Sequence, residues 1–165
     1  MEANGTRHLG IYLNDHLAGS MTAIEMVRRA SEQYKGTPLG DFFAAIGAEI
    51  EQDRDTLKAV MAANGVEVQR YKLAAAWVAE RAARLKFNGA LVRRSPLTPL
   101  VELETLAIGV HGKESLWRQL RANAPDDAAG ARFDELIERA RSQREDIERH
   151  RVEVGRRALS PARAA

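Results

Sequence analysis

The order of apolar and polar residues is helical along almost the whole chain. Leu9, Tyr12, Leu13, Leu17, Met21, Ile24 and Val27 recur at three- and four-residue steps, which sets them on one helical face. Arg28, Arg29, Glu32 and Lys35 begin a solvated end, so the pattern predicts a first helix from His8 to Tyr34. "KGTPLGD" breaks it, with Thr37 or Asp41 placed to cap a second helix. That helix carries Phe42, Phe43, Ile46, Ile50, Leu57, Val60 and Met61 and stops at Asn64-Gly65, residues suited to a left-handed C-terminal cap. So short a turn makes the two helices antiparallel neighbours.

A long connection follows, and within it Leu73 to Phe87 has helical spacing anchored by Leu73, Trp77 and Leu85. "NGALVRRSPLTPL" ends this crossover. Leu100, Leu103, Leu106, Ala107, Val110, Trp117 and Leu120 then mark a third long helix. After the turn "NAPDDAAG", Phe133, Leu136, Ile137, Ala140, Ile147 and Val154 mark a fourth, and "ALSPARAA" reads as a loose tail. The expected organisation is one helical domain over residues 1–157 with a flexible tail at 158–165. Two antiparallel pairs joined by one long connection are the layout of an all-α four-helix bundle with a crossover, here containing an extra helix between helices two and three; ferritin-like folds have one such connection.

Composition narrows the chemistry more than it names it. A chain of 165 residues suffices for one real core. Its 25 Lys and Arg against 23 Asp and Glu alternate in sign, which gives no strong field for nucleic acid or acidic membranes. Without cysteine there is no disulfide framework, thiolate metal site or cysteine nucleophile. The start "MEANGTRHLGIYLNDHL" lacks a basic segment followed by an apolar block, and the longest apolar run, "LAAAWVA", is far short of a membrane span. These features lead us to expect a soluble cytoplasmic protein that binds neither nucleic acid nor membrane.

Two stretches carry a family resemblance. "LNDHLAGSMTAIE" resembles the first helix of the bacterioferritin branch of the ferritin-like superfamily, and "EIEQDRDTLKAVMAANGV" resembles that family's metal-binding second helix with its closing Gly. The resemblance implies a bundle in which two helices each give one Glu and the other two each give a Glu-x-x-His pair to a buried di-iron centre. In this chain the first Glu falls on Ser20, whose hydroxyl cannot offset the charge of iron, and the first pair becomes Glu49 with Gln52. The third-helix ligand position falls on Gly109, and a one-turn shift of register brings Glu102 or Glu104 nearer to it. The second pair becomes Gln143 with Asp146, and His150 lies one turn too late. What is implied is a ferritin-like bundle that has lost the di-iron ligands and needs no cofactor. It is expected to be a homodimer through an apolar helical face and to bind a protein or small-molecule partner without catalysis. The polar residues left at the old site are then expected to satisfy one another across the bundle.

A competing reading takes His16, Glu49, Asp53, His111 and Glu114, all on or near apolar faces, as a rearranged site for iron or another divalent metal. That protein would be a metal-dependent oxidase or an iron-handling protein. "RAARLKFNGALVRR", with Arg81, Arg84, Lys86, Arg93 and Arg94 around Phe87, has the charge to hold phosphate but reads better as a solvated face. Trp77 and Trp117 read as packing anchors. Asp15 and Glu49 are carboxylates on separate helices whose pairing the sequence leaves open. The chain has no nucleophile elbow, phosphate loop or Cys/His zinc spacing, so nothing in it points to an enzyme.

Overall fold

The spacing that predicts helices is realised in four of them, given by a computed structural model that describes residues 2–69, 95–124 and 128–160. They are α1 (Glu2–Gln33), α2 (Pro38–Ala63), α3 (Thr98–Ala122) and α4 (Ala128–Leu159). Among the described residues there is no strand. The expected crossover helix at Leu73–Phe87 and the basic run around Phe87 lie outside the described residues. The chain divides into two compact units, one holding α1 and α2 and the other α3 and α4.

In the first unit the turn is built by Thr37. Its backbone is extended, its hydroxyl accepts from the Gly40 N–H at 3.2 Å and donates to the Tyr34 carbonyl at 2.6 Å, and Pro38 starts the helix where no N–H is missed. Of the two expected caps it is Thr37 that serves, and Asp41 sits in the first turn. Gly40 is buried against this turn: a β-carbon there would lie 2.2 Å from the Tyr34 carbonyl oxygen, so glycine alone fits. Tyr34 stacks on Phe43 with ring centroids 5.9 Å apart.

The other end of α2 closes as a Schellman motif. Gly65 takes φ +63°, its N–H bonds the Ala62 carbonyl, and the Val66 N–H reaches back to the Met61 carbonyl at 2.9 Å. Val66 is buried, and a methyl at Gly10 of α1 would touch its Cγ1 at 3.7 Å. With Gly47 similarly close to Val27 at the opposite end, α1 and α2 run antiparallel as the short turn requires.

In the second unit the pairs Glu104–Arg151, Glu114–Arg144 and Arg121–Asp134 step in opposite directions along α3 and α4, so this hairpin is antiparallel too. Trp117 is a packing anchor as expected: it is fully buried and stacks against Phe133 at 6.3 Å.

Three differences from the sequence reading have physical causes. α1 begins at Glu2 rather than His8 and runs through Asn4 and Gly5, whose low helix propensity does not interrupt it. α4 continues to Leu159, two residues into the expected tail, since nothing before Pro161 stops it. Met21 is 41% exposed rather than buried. The buried face of α1 steps through Leu13, Leu17, Val27 and Ala30 with the half-buried Ser20 and Ile24 between them, and Met21 lies one residue round the helix from that line.

Candidate functional site

Each helix places one polar side chain in its buried stripe. Asn14, Asp53, Glu114 and Gln143 are 1%, 2%, 2% and 3% exposed, in stripes whose adjoining buried residues include Leu17, Ile50, Leu57, Val110, Trp117, Ala140 and Ile147. Buried polar groups cost stability unless they are bonded, so what holds them tells what the stripe is for.

Glu114 holds the densest cluster. Arg118, one turn on, donates to Oε1 from Nε at 3.0 Å and from Nη2 at 2.5 Å. Arg144, across the hairpin on α4, donates to Oε2 at 2.8 Å, and Arg141 brings its Nε to 3.4 Å from Oε1. Burial by itself raises the Glu114 pKa, but the hydrogen bonds from Arg144 and Arg118 outweigh it and hold the carboxyl below its ordinary value. The carboxylate is therefore charged, and the charge opposite it comes from the chain. One turn to the side, the Lys113 ammonium donates to Oε1 of Gln143, so this second buried acceptor is also met by a cation of the protein.

Asn14 does different work. Its Nδ2 donates to the Gly10 carbonyl at 2.9 Å and to the Glu67 carbonyl at 3.0 Å, while its Oδ1 accepts from the Gln69 N–H at 2.7 Å. One side-chain amide thus pairs with a peptide edge, as a strand neighbour would, and fastens the segment after Val66 to α1. The sequence reading passed over Asn14. Its signal was an amide one residue after Leu13, inside an otherwise apolar face.

The positions inferred from the ferritin-like resemblance are not equivalent in depth. Gln143 is buried, Ser20 and Glu49 are half-buried, and Gln52 and Gly109 are exposed. Ser20 donates to the Leu17 carbonyl of its own helix at 2.7 Å, which satisfies the hydroxyl locally rather than across the bundle. Asp146 pairs with Arg149 on its own helix and is 44% exposed. On α2 the buried line runs through Ile46, Ile50, Asp53 and Leu57, so Glu49 and Gln52 each precede a buried position by one residue, about 100° round the helix. On α3 the same offset separates exposed Gly109 from buried Val110. Of its one-turn alternatives, Glu104 is an exposed partner of Arg151 at 3.7 Å.

The rearranged metal set fares as follows. His111 is exposed, and Glu114 is surrounded by guanidinium groups. His16 is half-buried, stands edge-on to Tyr12 at 4.7 Å, and has its pKa lowered by burial against a small opposing pull from Asp15. Among the described residues no three His, Asp or Glu lie together so as to hold a metal ion. The donor set that a di-iron centre needs, anionic oxygens facing a shared cation, does not fit a Glu114 whose two oxygens already face arginines. Among the described residues no helix is long and apolar enough to cross a membrane. No protein-family model, no curated protein and no solved structure matches this chain.

Proposed function

We propose that this chain is a cytoplasmic, non-catalytic four-helix bundle of ferritin-like ancestry that acts by binding a partner or a small ligand. The observation that carries this reading is Glu114. A buried carboxylate in a helical bundle needs a positive counterpart, and here Arg118 and Arg144 supply it directly. In the same hairpin a cation of the chain, Lys113, also donates to the neutral amide of buried Gln143. An ion already neutralised by guanidinium groups gains little from a metal that would have to displace them.

The test is anaerobic loading of the full chain with Fe(II), removal of excess, and elemental analysis. We expect far less than one iron per chain, and no rise in Tm with Fe(II), Mn(II) or Zn(II), because only a ligand that favours the folded state stabilises it. About one or two tightly held atoms per chain would overturn the reading in favour of an iron-handling protein.

The same reading includes a homodimer. Leu97, Val101 and Ile108 are 42%, 55% and 75% exposed and fall on one side of α3, together with Thr105, Gly112, Ser115 and Gln119. None of these seven residues is charged; Glu104, three residues after Val101 and four before Ile108, borders the line and is paired with Arg151 at 3.7 Å. A neutral apolar line can face a second copy of itself without like-charge repulsion, which a charged helix face cannot do. In sedimentation equilibrium, Ile108→Glu is expected to weaken self-association at least about tenfold by placing two carboxylates at the contact. Identical association of wild type and variant would remove this face from the dimer.

A further inference from the structure

Three arginines meet at one buried carboxylate, and that is more cation than the carboxylate needs. Arg118, Arg141 and Arg144 have side chains 56%, 47% and 45% exposed, whereas Glu114 is 3% exposed, so the inner edge of the cluster is fixed and the outer edge is wet. The second carboxylate in reach is Glu138, which accepts from Arg141 Nη1 at 3.0 Å and is 73% exposed. Three guanidinium groups therefore share two carboxylates, leaving one positive charge in excess.

The donor count points the same way. A guanidinium carries five N–H donors. Arg118 spends Nε and Nη2 on Glu114, and Arg144 spends Nη1. Their remaining donors lie on groups that Glu114 has already oriented, so much of the entropy normally lost on ordering a long side chain has been given up during folding.

We propose that the outer edges of Arg118, Arg141 and Arg144 form a binding site for a small phosphate-type oxyanion, free inorganic phosphate or a phosphate monoester. Planar N–H pairs match the oxygen spacing of a phosphate, and once Glu138 gives way the three guanidinium groups face Glu114 alone, a surplus of two charges that a dianion balances and chloride does not. Glu138 is the exposed carboxylate a dianion would displace from Arg141, since an exposed ion pair of this kind is held weakly. The proposal rests on the reading of the protein as a binding module and gives that module a ligand class.

The test is equilibrium dialysis of the full chain against radiolabelled inorganic phosphate, at ionic strength held constant with chloride. We expect saturable retention of one phosphate per chain. Arg141→Gln, which leaves the shorter hydrogen bonds of Arg118 and Arg144 on Glu114, should weaken retention about tenfold, the loss of one charged hydrogen bond. Glu138→Gln should strengthen it several-fold, because it removes a competing like charge, an increase that a purely structural role for the cluster would not produce. No saturable retention, or equal retention by wild type and both variants, would overturn the proposal. Co-sedimentation with phosphatidylcholine vesicles containing phosphatidic acid separates the source: the expected result is no capture, and capture without retention of free phosphate would overturn the small-anion assignment. Failure here with negligible iron uptake leaves the binding-module reading standing, whereas iron uptake removes that reading itself.

Discussion

Replacing Arg118 and Arg144 together by alanine is expected to lower unfolding stability by about 3 kcal/mol, read from urea denaturation near neutral pH. The reason is the asymmetry of a buried ion pair. Formation of the pair repays little beyond its desolvation cost, but removal of its cations leaves Glu114 charged with only Arg141 at 3.4 Å beside it. Both arginines are half-exposed, so each costs little to remove for its own sake. The loss therefore belongs to Glu114. Adding Glu114→Gln to the double variant should recover part of it, and a double-mutant comparison that showed no recovery would mean the arginines stabilise the hairpin by packing instead.

Acid makes the same point with a definite sign. Folding holds the Glu114 carboxyl below the 4.5 of a free glutamate, so between those two values the unfolded chain binds more protons than the folded one. Its contribution is complete above pH 4.5 and disappears as the pH falls through the lower folded value. Other carboxylates are also held below their ordinary values, including Glu148 beside Arg151 and Asp55 beside Arg54, both exposed. Glu114→Gln isolates the buried group. The gap between its stability curve and that of the wild type should be constant above pH 4.5 and narrow in more acid solution.

The helices were legible because their signal is redundant. Leu13, Leu17, Phe43, Ile46, Leu103, Leu106, Ala140 and Ile147 all lie in the buried faces that their spacing predicts, and an error at one position, such as Met21, does not move the helix. The termini of α2 were legible for a chemical reason: few residues cap a helix as Thr37 does or reverse its end as Gly65 does. The candidate site was less so. Glu49, Gln52 and Gly109 each precede a buried position, Ile50, Asp53 and Val110, by one residue of a 3.6-residue repeat, a step small in sequence and large in orientation. The spacing did place Asp53 and Glu114 on or near apolar faces, and both are buried, but it gave no sign of what holds Glu114. The arginines one turn along α3 and across on α4 make its burial tolerable. Arg141 and Arg144 are 27 and 30 residues away from it, and pairing at that distance is set by the register of two helices rather than by any local motif.

Asn14→Ala is expected to cost about 2 kcal/mol, with its effect concentrated in the segment that follows α2. The variant removes one acceptor and two donor contacts at a position 1% exposed, and leaves a small void between α1 and the chain at residues 67–69. Amide hydrogen exchange should show it most plainly at Gln69, whose N–H donates to Asn14 Oδ1 at 2.7 Å, with less change in α2 itself. Asn14→Asp sharpens the test. It keeps an oxygen for the Gln69 N–H but turns a second oxygen, charged at neutral pH, toward the carbonyls of Gly10 and Glu67 that Nδ2 now serves. Protonation restores a donor there, so the folded state should hold the proton more tightly than the unfolded chain. The variant's folded pKa is then raised, and its stability relative to wild type should be greatest below the unfolded value, near 4, and fall as the pH rises through the folded value. That is the opposite slope to the one Glu114 gives the wild type. If Asn14→Asp instead tracked Asn14→Ala at every pH, the amide would be filling space rather than pairing with the peptide edge, and the attachment of residues 67–69 to α1 would have to come from Val66 alone.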